Sequence, residues 1–78
     1  MPRPKRLPAE LPRQRVLAAL KRMGFYVARE GGRHTVLKHP GRTGAALALP
    51  RHSRISRKLL LRALSAFSFT EEDFSRHY

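Results

Sequence analysis

The residues best suited to chemistry in this 78-residue chain are Gly31-Gly32-Arg33-His34, a tight turn that delivers one histidine onto a strand. Around them stand 17 Lys and Arg against 5 Asp and Glu, a formal net charge of +12. Histidine takes up or releases a proton near neutral pH, and arginine is a fork-shaped donor matched to phosphate oxygens. Cleavage of a ribose–phosphate backbone asks for those two capacities. A 2′-hydroxyl must lose a proton as it attacks the neighbouring phosphorus, the departing 5′-oxygen must gain one, and the crowded phosphate needs its added negative charge stabilised. His34 with Arg33 and the nearby Arg29 or Lys38 supplies that minimum. The competing reading of His34 is a passive surface histidine, since a lone histidine is more often that than a catalyst. His39 and His52 stand in loops beside a proline or an arginine, where His52 can hydrogen-bond a phosphate; His77, at the chain end, reads as inert.

Other chemistries lack their residues. A metal-dependent nuclease needs clustered carboxylates, and three of the five acids, Glu71, Glu72 and Asp73, are accounted for by a helix start, which leaves Glu10 and Glu30. No metal and no cofactor are expected. The chain has no cysteine, which removes disulfides, zinc fingers and thiol catalysis, and a serine nucleophile would lack its acidic orienting partner. The charge calls for a polyanion, because clustered cations concentrate phosphates and release their counterions. Nucleic acid comes first and a membrane surface second. No apolar run approaches the roughly 20 residues of a spanning helix, and Met1 to Gln14 holds no stretch of signal-peptide type, so the expected location is the cytoplasm.

The elements that must position His34 follow from pattern. Residues 1–11 read as a basic, proline-rich arm of extended, solvated backbone, with Pro2, Pro4 and Pro8 among Arg3, Lys5 and Arg6, and residues 12–78 as a single domain. From Pro12, suited to a first helical turn, Val16, Leu17, Leu20 and Met23 share one face of an amphipathic helix closed by Gly24. Phe25 to Glu30 has strand character, Gly31-Gly32 is predicted to supply the positive φ of a two-residue hairpin turn, and Arg33 to Lys38 returns as a second strand. A turn cluster over 39–44 leads to a third strand, Ala45 to Leu49, which Pro50 ends. After a loop over 51–54, a second helix from about Ser56 presents Leu59, Leu60, Ala63, Leu64 and Phe67 over a broad arc, with Leu61 beyond its edge. Thr70-Glu71-Glu72-Asp73 reads as a capped helix start, with Phe69 and Phe74 as a hydrophobic staple. The fold class is therefore α+β, in the order helix, three antiparallel strands, helix, with helices on one sheet face and the other face open.

Strand residues alternate sides, so His34, Val36 and Lys38 share one face of the second strand and Thr35, Leu37 and His39 the other. If Leu37 packs on the helices, His34 and Lys38 face solvent; if Val36 is the core residue, His34 lies at the sheet end near a helix. Either placement leaves the turn end accessible.

Taken in order, Gly24-Phe25, Gly32-Arg33-His34, Lys38-His39-Pro40-Gly41, Pro50-Arg51-His52, Leu61-Arg62 with Leu64, and Glu71-Glu72-Asp73-Phe74 resemble the HicA (YcfA-type) toxins of type II toxin–antitoxin systems. The resemblance spans about Met23 to Phe74. It implies a small fold similar to the double-stranded RNA-binding domain, a metal-independent mRNA interferase activity, and one catalytic histidine in a Gly-Ser-His motif, the position of His34. It also implies RNA as substrate and a HicB-like antitoxin that wraps the toxin and masks the histidine. The chain departs from the family in carrying Arg33 where serine is usual, and Leu59-Leu60 where Gly-Thr commonly precedes Leu-Arg. On this reading the catalytic residue is His34, and Arg29, Arg33 and Lys38 contact RNA. Arg51, His52, Arg54 and Lys58 extend the same basic surface.

A rival of a different class is a non-catalytic RNA-binding module, since double-stranded RNA is often recognised by shape and phosphate contacts alone. A DNA-binding module is a third reading, weakened because the second helix has no helix-turn-helix partner.

Overall fold

A computed structural model describes residues 7–78. The elements run β1 (Glu10–Pro12), α1 (Arg13–Arg22), β2 (Tyr26–Glu30), β3 (His34–Lys38), β4 (Leu47–Pro50), β5 (Arg54–Ser56), α2 (Arg57–Ser65) and α3 (Glu71–Ser75). Strands β2, β3 and β4 form an antiparallel sheet in that order, so the helix, three strands, helix arrangement holds. The first half of the expected basic arm, residues 1–6, lies outside the described residues. In the second half Pro8, Ala9 and Glu10 are exposed, but the segment is anchored to the domain. Leu7 and Leu11 are buried, and β1 pairs with β5 in a separate two-stranded sheet, Leu11 opposite Ile55.

Helix α1 begins where Pro12, at the N-cap with extended ψ, needs no hydrogen bond of its own; the next amide, Arg13 N–H, donates to the Ser53 carbonyl at 2.9 Å. Its apolar stripe buries Val16, Ala19 and Leu20. Gly24, at φ +103°, closes it as expected: Gly24 N–H donates to Lys21 O and Phe25 N–H to Leu20 O, both at 3.0 Å. That reversal drops Phe25 into the core. There the strand residues Leu37, Leu47 and Leu49 meet Val16 and Leu20 of α1 and Leu60 and Leu64 of α2 in one buried cluster.

The hairpin differs in register from the glycine-centred turn. Tyr26 and Val27 pair with Lys38 and Leu37, whereas Arg29 and Glu30 pair with Val36 and Thr35, so a bulge at Ala28 shifts the pairing by one residue. The hairpin closes with Gly31 N–H donating to the His34 carbonyl at 2.8 Å, which leaves Gly32 and Arg33 between them. Neither Gly31 nor Gly32 has positive φ.

Further differences lie after the sheet. The 51–54 loop ends in β5. In α2, capped by the Ser56 hydroxyl, it is Leu59 that turns outward, while Leu61 is half-buried against the core. Helix α3 carries the expected capping box: Thr70 Oγ1 accepts from Asp73 N–H and Asp73 Oδ2 accepts from Thr70 N–H. Of the two residues expected to staple it, Phe69 packs against Phe25 and His39, and Phe74 against Tyr78.

Candidate functional site

The register settles which face His34 occupies. Thr35 and Leu37 are buried, so their neighbours His34 and Lys38 point away from the helices and are exposed. Across the sheet, Lys38 stands opposite Tyr26, Val36 between Arg29 and Ala48, and His34 opposite Pro50. These seven residues make up the open face, and no acid is among them. His34 and Lys38 are four residues apart on β3, about 13 Å along the strand.

Behind His34 the hairpin is fastened by a chain of hydrogen bonds through a buried hydroxyl. Arg13, the first residue of α1, donates from Nη2 to Thr35 Oγ1 and from Nε to the carbonyl of Pro50 at 2.9 Å. Thr35, fully buried, donates in turn to Glu30 Oε1 at 2.8 Å, so its hydroxyl both gives and receives. Glu30 also accepts from Arg51 Nη2, while Arg51 Nε donates to the Gly31 carbonyl at 2.9 Å and Arg51 N–H to the Arg33 carbonyl at 3.1 Å. The turn is thus held from both strands. His34, at its end, makes no side-chain hydrogen bond among the described residues and is exposed.

The sequence-predicted residues divide. Arg29 and Lys38 flank Val36 and Tyr26 on the open face, and Arg33 lies in the turn beside His34. Lys58 joins them at the margin: with Leu59, Arg62 and Ala63 of α2 it lines a groove that reaches Ala48 on β4. Among the described residues Arg29, Arg33, Lys38, Lys58 and Arg62 form no ion pair. Arg51 is engaged within the turn, and His52 is exposed in the loop after β4. Arg54 lines a different cleft, with Glu10, Pro12, Arg15 and Tyr78.

Two of the other histidines have structural work. His39 Nδ1 accepts from Gly41 N–H at 3.1 Å, so Nε2 carries the proton and donates to the Met23 carbonyl at 2.8 Å. Its ring meets Phe25 edge-on, with centroids 5.0 Å apart. His77 Nδ1 lies 3.0 Å from the Asp73 carbonyl on α3. Among the described residues no three His, Asp or Glu side chains converge as a metal-binding group, and no helix is long and apolar enough to cross a membrane.

Residue patterns did not point to Arg13, Thr35 and Glu30, whose link runs between residues distant in the chain, nor to Tyr26 and Arg62. For Tyr26 a signal existed: strand alternation places it on the face opposite Val27.

The family model described as the HicA toxin of bacterial toxin–antitoxin matches residues 13–67. The chain belongs to the HicA toxin family. Comparison with curated proteins and with solved structures gives no match. Membership makes the chain the toxin of a toxin–antitoxin pair, with an antitoxin as partner. The region matching the HicA family opens at Arg13, the residue that anchors Thr35, and closes at Phe67 in the core. Segments on either side of it pack together: Leu7 N–H donates to Glu71 Oε2 at 3.1 Å.

Proposed function

We propose that this HicA-family chain is a metal-independent endoribonuclease that binds mRNA across the open sheet face and cleaves it with His34. The observation that carries the reading is the contrast between His34 and its surroundings. The backbone on both sides of it is fixed by Arg13, Thr35 and Arg51, while its own ring is exposed and without a protein partner. A side chain held at its root and vacant at its tip is ready for a ligand.

In the reaction a bond forms between the 2′-oxygen and phosphorus as the bond from phosphorus to the 5′-oxygen breaks. The 2′-hydroxyl loses a proton and the 5′-oxygen gains one, leaving a cyclic phosphate and a free 5′-hydroxyl with no water consumed. His34 serves one of the two proton transfers. Arg33 and Arg29, free of ion pairs among the described residues, supply donors for the phosphate oxygens, and Lys38 and Lys58 add positive potential. A HicB-like antitoxin of acidic character complements this face and covers His34. Acting on mRNA, the toxin works in the cytoplasm.

The test is incubation of the purified chain with a long RNA in EDTA, beside a His34→Ala variant checked for folding by circular dichroism. Cleavage by the parent and none by the variant, with RNA affinity retained, supports the reading. RNA binding without cleavage by either turns it to a binding module. Collapse of binding in the variant makes His34 a contact and not a catalyst.

A further inference from the structure

Among the described residues two large apolar side chains stand in solvent, Tyr26 at 48% and Leu59 at 42% exposure. Leu59 sits among α2 residues at the groove margin. Tyr26 is placed differently. It lies on the open face itself, directly opposite Lys38 and on the same strand as Arg29, and its ring neither joins the core cluster nor packs on another aromatic ring. An aromatic ring left bare between cations, on a face without acids, has the composition of a base-stacking platform: the cations follow the phosphates and the ring takes a base.

We infer that Tyr26 is a base-stacking subsite and that the substrate is single-stranded RNA laid along β3. The inference rests on the reading that RNA binds the open face. Tyr26 and Lys38 lie about 13 Å along the strand from His34. A backbone whose scissile phosphate sits at His34 therefore passes Arg29 and Lys38 before a base a few nucleotides away reaches the ring. A duplex cannot use this platform, because its bases are closed within their own stack and it offers phosphates and 2′-hydroxyls instead. The chemistry points the same way. Attack in line with the departing 5′-oxygen needs a backbone geometry that a regular helix withholds and an unpaired strand can adopt. Since every base has a π-face, Tyr26 selects for strandedness and not for base identity.

The experiment uses the His34→Ala chain, so that RNA stays intact, and measures binding of a labelled unstructured oligoribonucleotide and of the same strand annealed to its complement. Tyr26→Ala is expected to weaken single-strand binding by about tenfold, Tyr26→Phe to restore it, and duplex binding to respond to neither. A second readout is direct. The chain has two tyrosines and no tryptophan, so in a Tyr78→Phe background Tyr26 is the only strong fluorophore, and stacking quenches it as single strand is added. Equal single-strand affinity for the Ala and Phe variants, or RNA binding with unchanged tyrosine emission, overturns the subsite and leaves the RNA-binding reading in place. No RNA binding by any variant, nor by the parent chain with His34 in place, overturns both.

Discussion

The guanidinium of Arg13 reaches from the first turn of α1 into the sheet and meets the hydroxyl of Thr35, the one fully buried polar side chain among the described residues. One arginine thereby joins a helix start, the strand that carries His34 and the carbonyl of Pro50 opposite it.

Thr35→Val keeps the shape and removes the hydroxyl, leaving Arg13 and Glu30 without their shared partner. The expected loss is about 2 kcal/mol in urea denaturation, with Thr35→Ser retaining most of the parent stability. Arg13→Lys is expected to behave like a loss, because a single ammonium cannot reproduce a fork that meets two acceptors. Stability equal to the parent in Thr35→Val would show the link to be incidental.

Gly24 and His39 are expected to be coupled. A Cβ at Gly24 would lie 2.8 Å from His39 Nε2, on a backbone at φ +103°, so Gly24→Ala is expected to cost about 2 kcal/mol or more. In a His39→Ala background the steric part disappears and the cost falls, a non-additivity that thermal denaturation of the four proteins measures. His39→Ala itself lowers stability and, if the proposed ribonuclease function holds, is expected to leave the RNA cleavage per folded molecule unchanged.

Ser68 is the non-glycine residue with positive φ among the described residues, at +63°, where Phe69 N–H donates to Leu64 O and Ser68 N–H to Ser65 O to end α2. Glycine carries no Cβ penalty there. Ser68→Gly is expected to raise stability by about 0.5 kcal/mol, the relief exceeding the added freedom of the unfolded chain, and to raise Tm by a few degrees in calorimetry. An unchanged or lower Tm would contradict this.

The capping box of α3 makes an acid-sensitive contribution. The Thr70 backbone N–H, and then its hydroxyl, hold the Asp73 carboxyl below its usual value of 3.8. A lowered folded pKa means that the unfolded chain binds the proton more readily, so this stabilisation is in place above 3.8 and fades as the pH falls through the folded value. The stability difference between the parent and Asp73→Asn, measured by denaturant titration at stepped pH, is expected to shrink below about pH 4. Thr70→Ala is expected to cost about 1 kcal/mol at neutral pH.

Much of the fold was legible because its signals are local. Gly24 after a helical stripe marks a helix end, and alternation along His34 to Lys38 separates a buried Leu37 from an exposed Lys38. Those two facts place His34 on the open face once Leu37 is taken as core. What escaped depends on partners far along the chain. Strands β1 and β5 are three residues each, too short for periodicity, and pair across more than forty residues. The bulge at Ala28 moved the turn without altering any composition cue. Leu59 and Leu61 exchanged places because the orientation of α2 is set by its cap and by β5, not by the leucine run.

The β1–β5 pairing has a consequence for how the chain is made. Arg13 N–H is satisfied by Ser53 O and Arg57 N–H by Ala9 O, so each helix start is secured by the residue just before the strand that leads into the other. During translation β1 emerges early and finds no partner until Ser56 has cleared the ribosome. Until then neither helix start has its hydrogen bond, and Arg13 has no Pro50 carbonyl to hold. The hold on His34 is therefore non-local: it needs the Pro50 carbonyl, 37 residues after Arg13, and the Arg51 guanidinium to be free to fold onto the hairpin, so it forms after the hairpin itself.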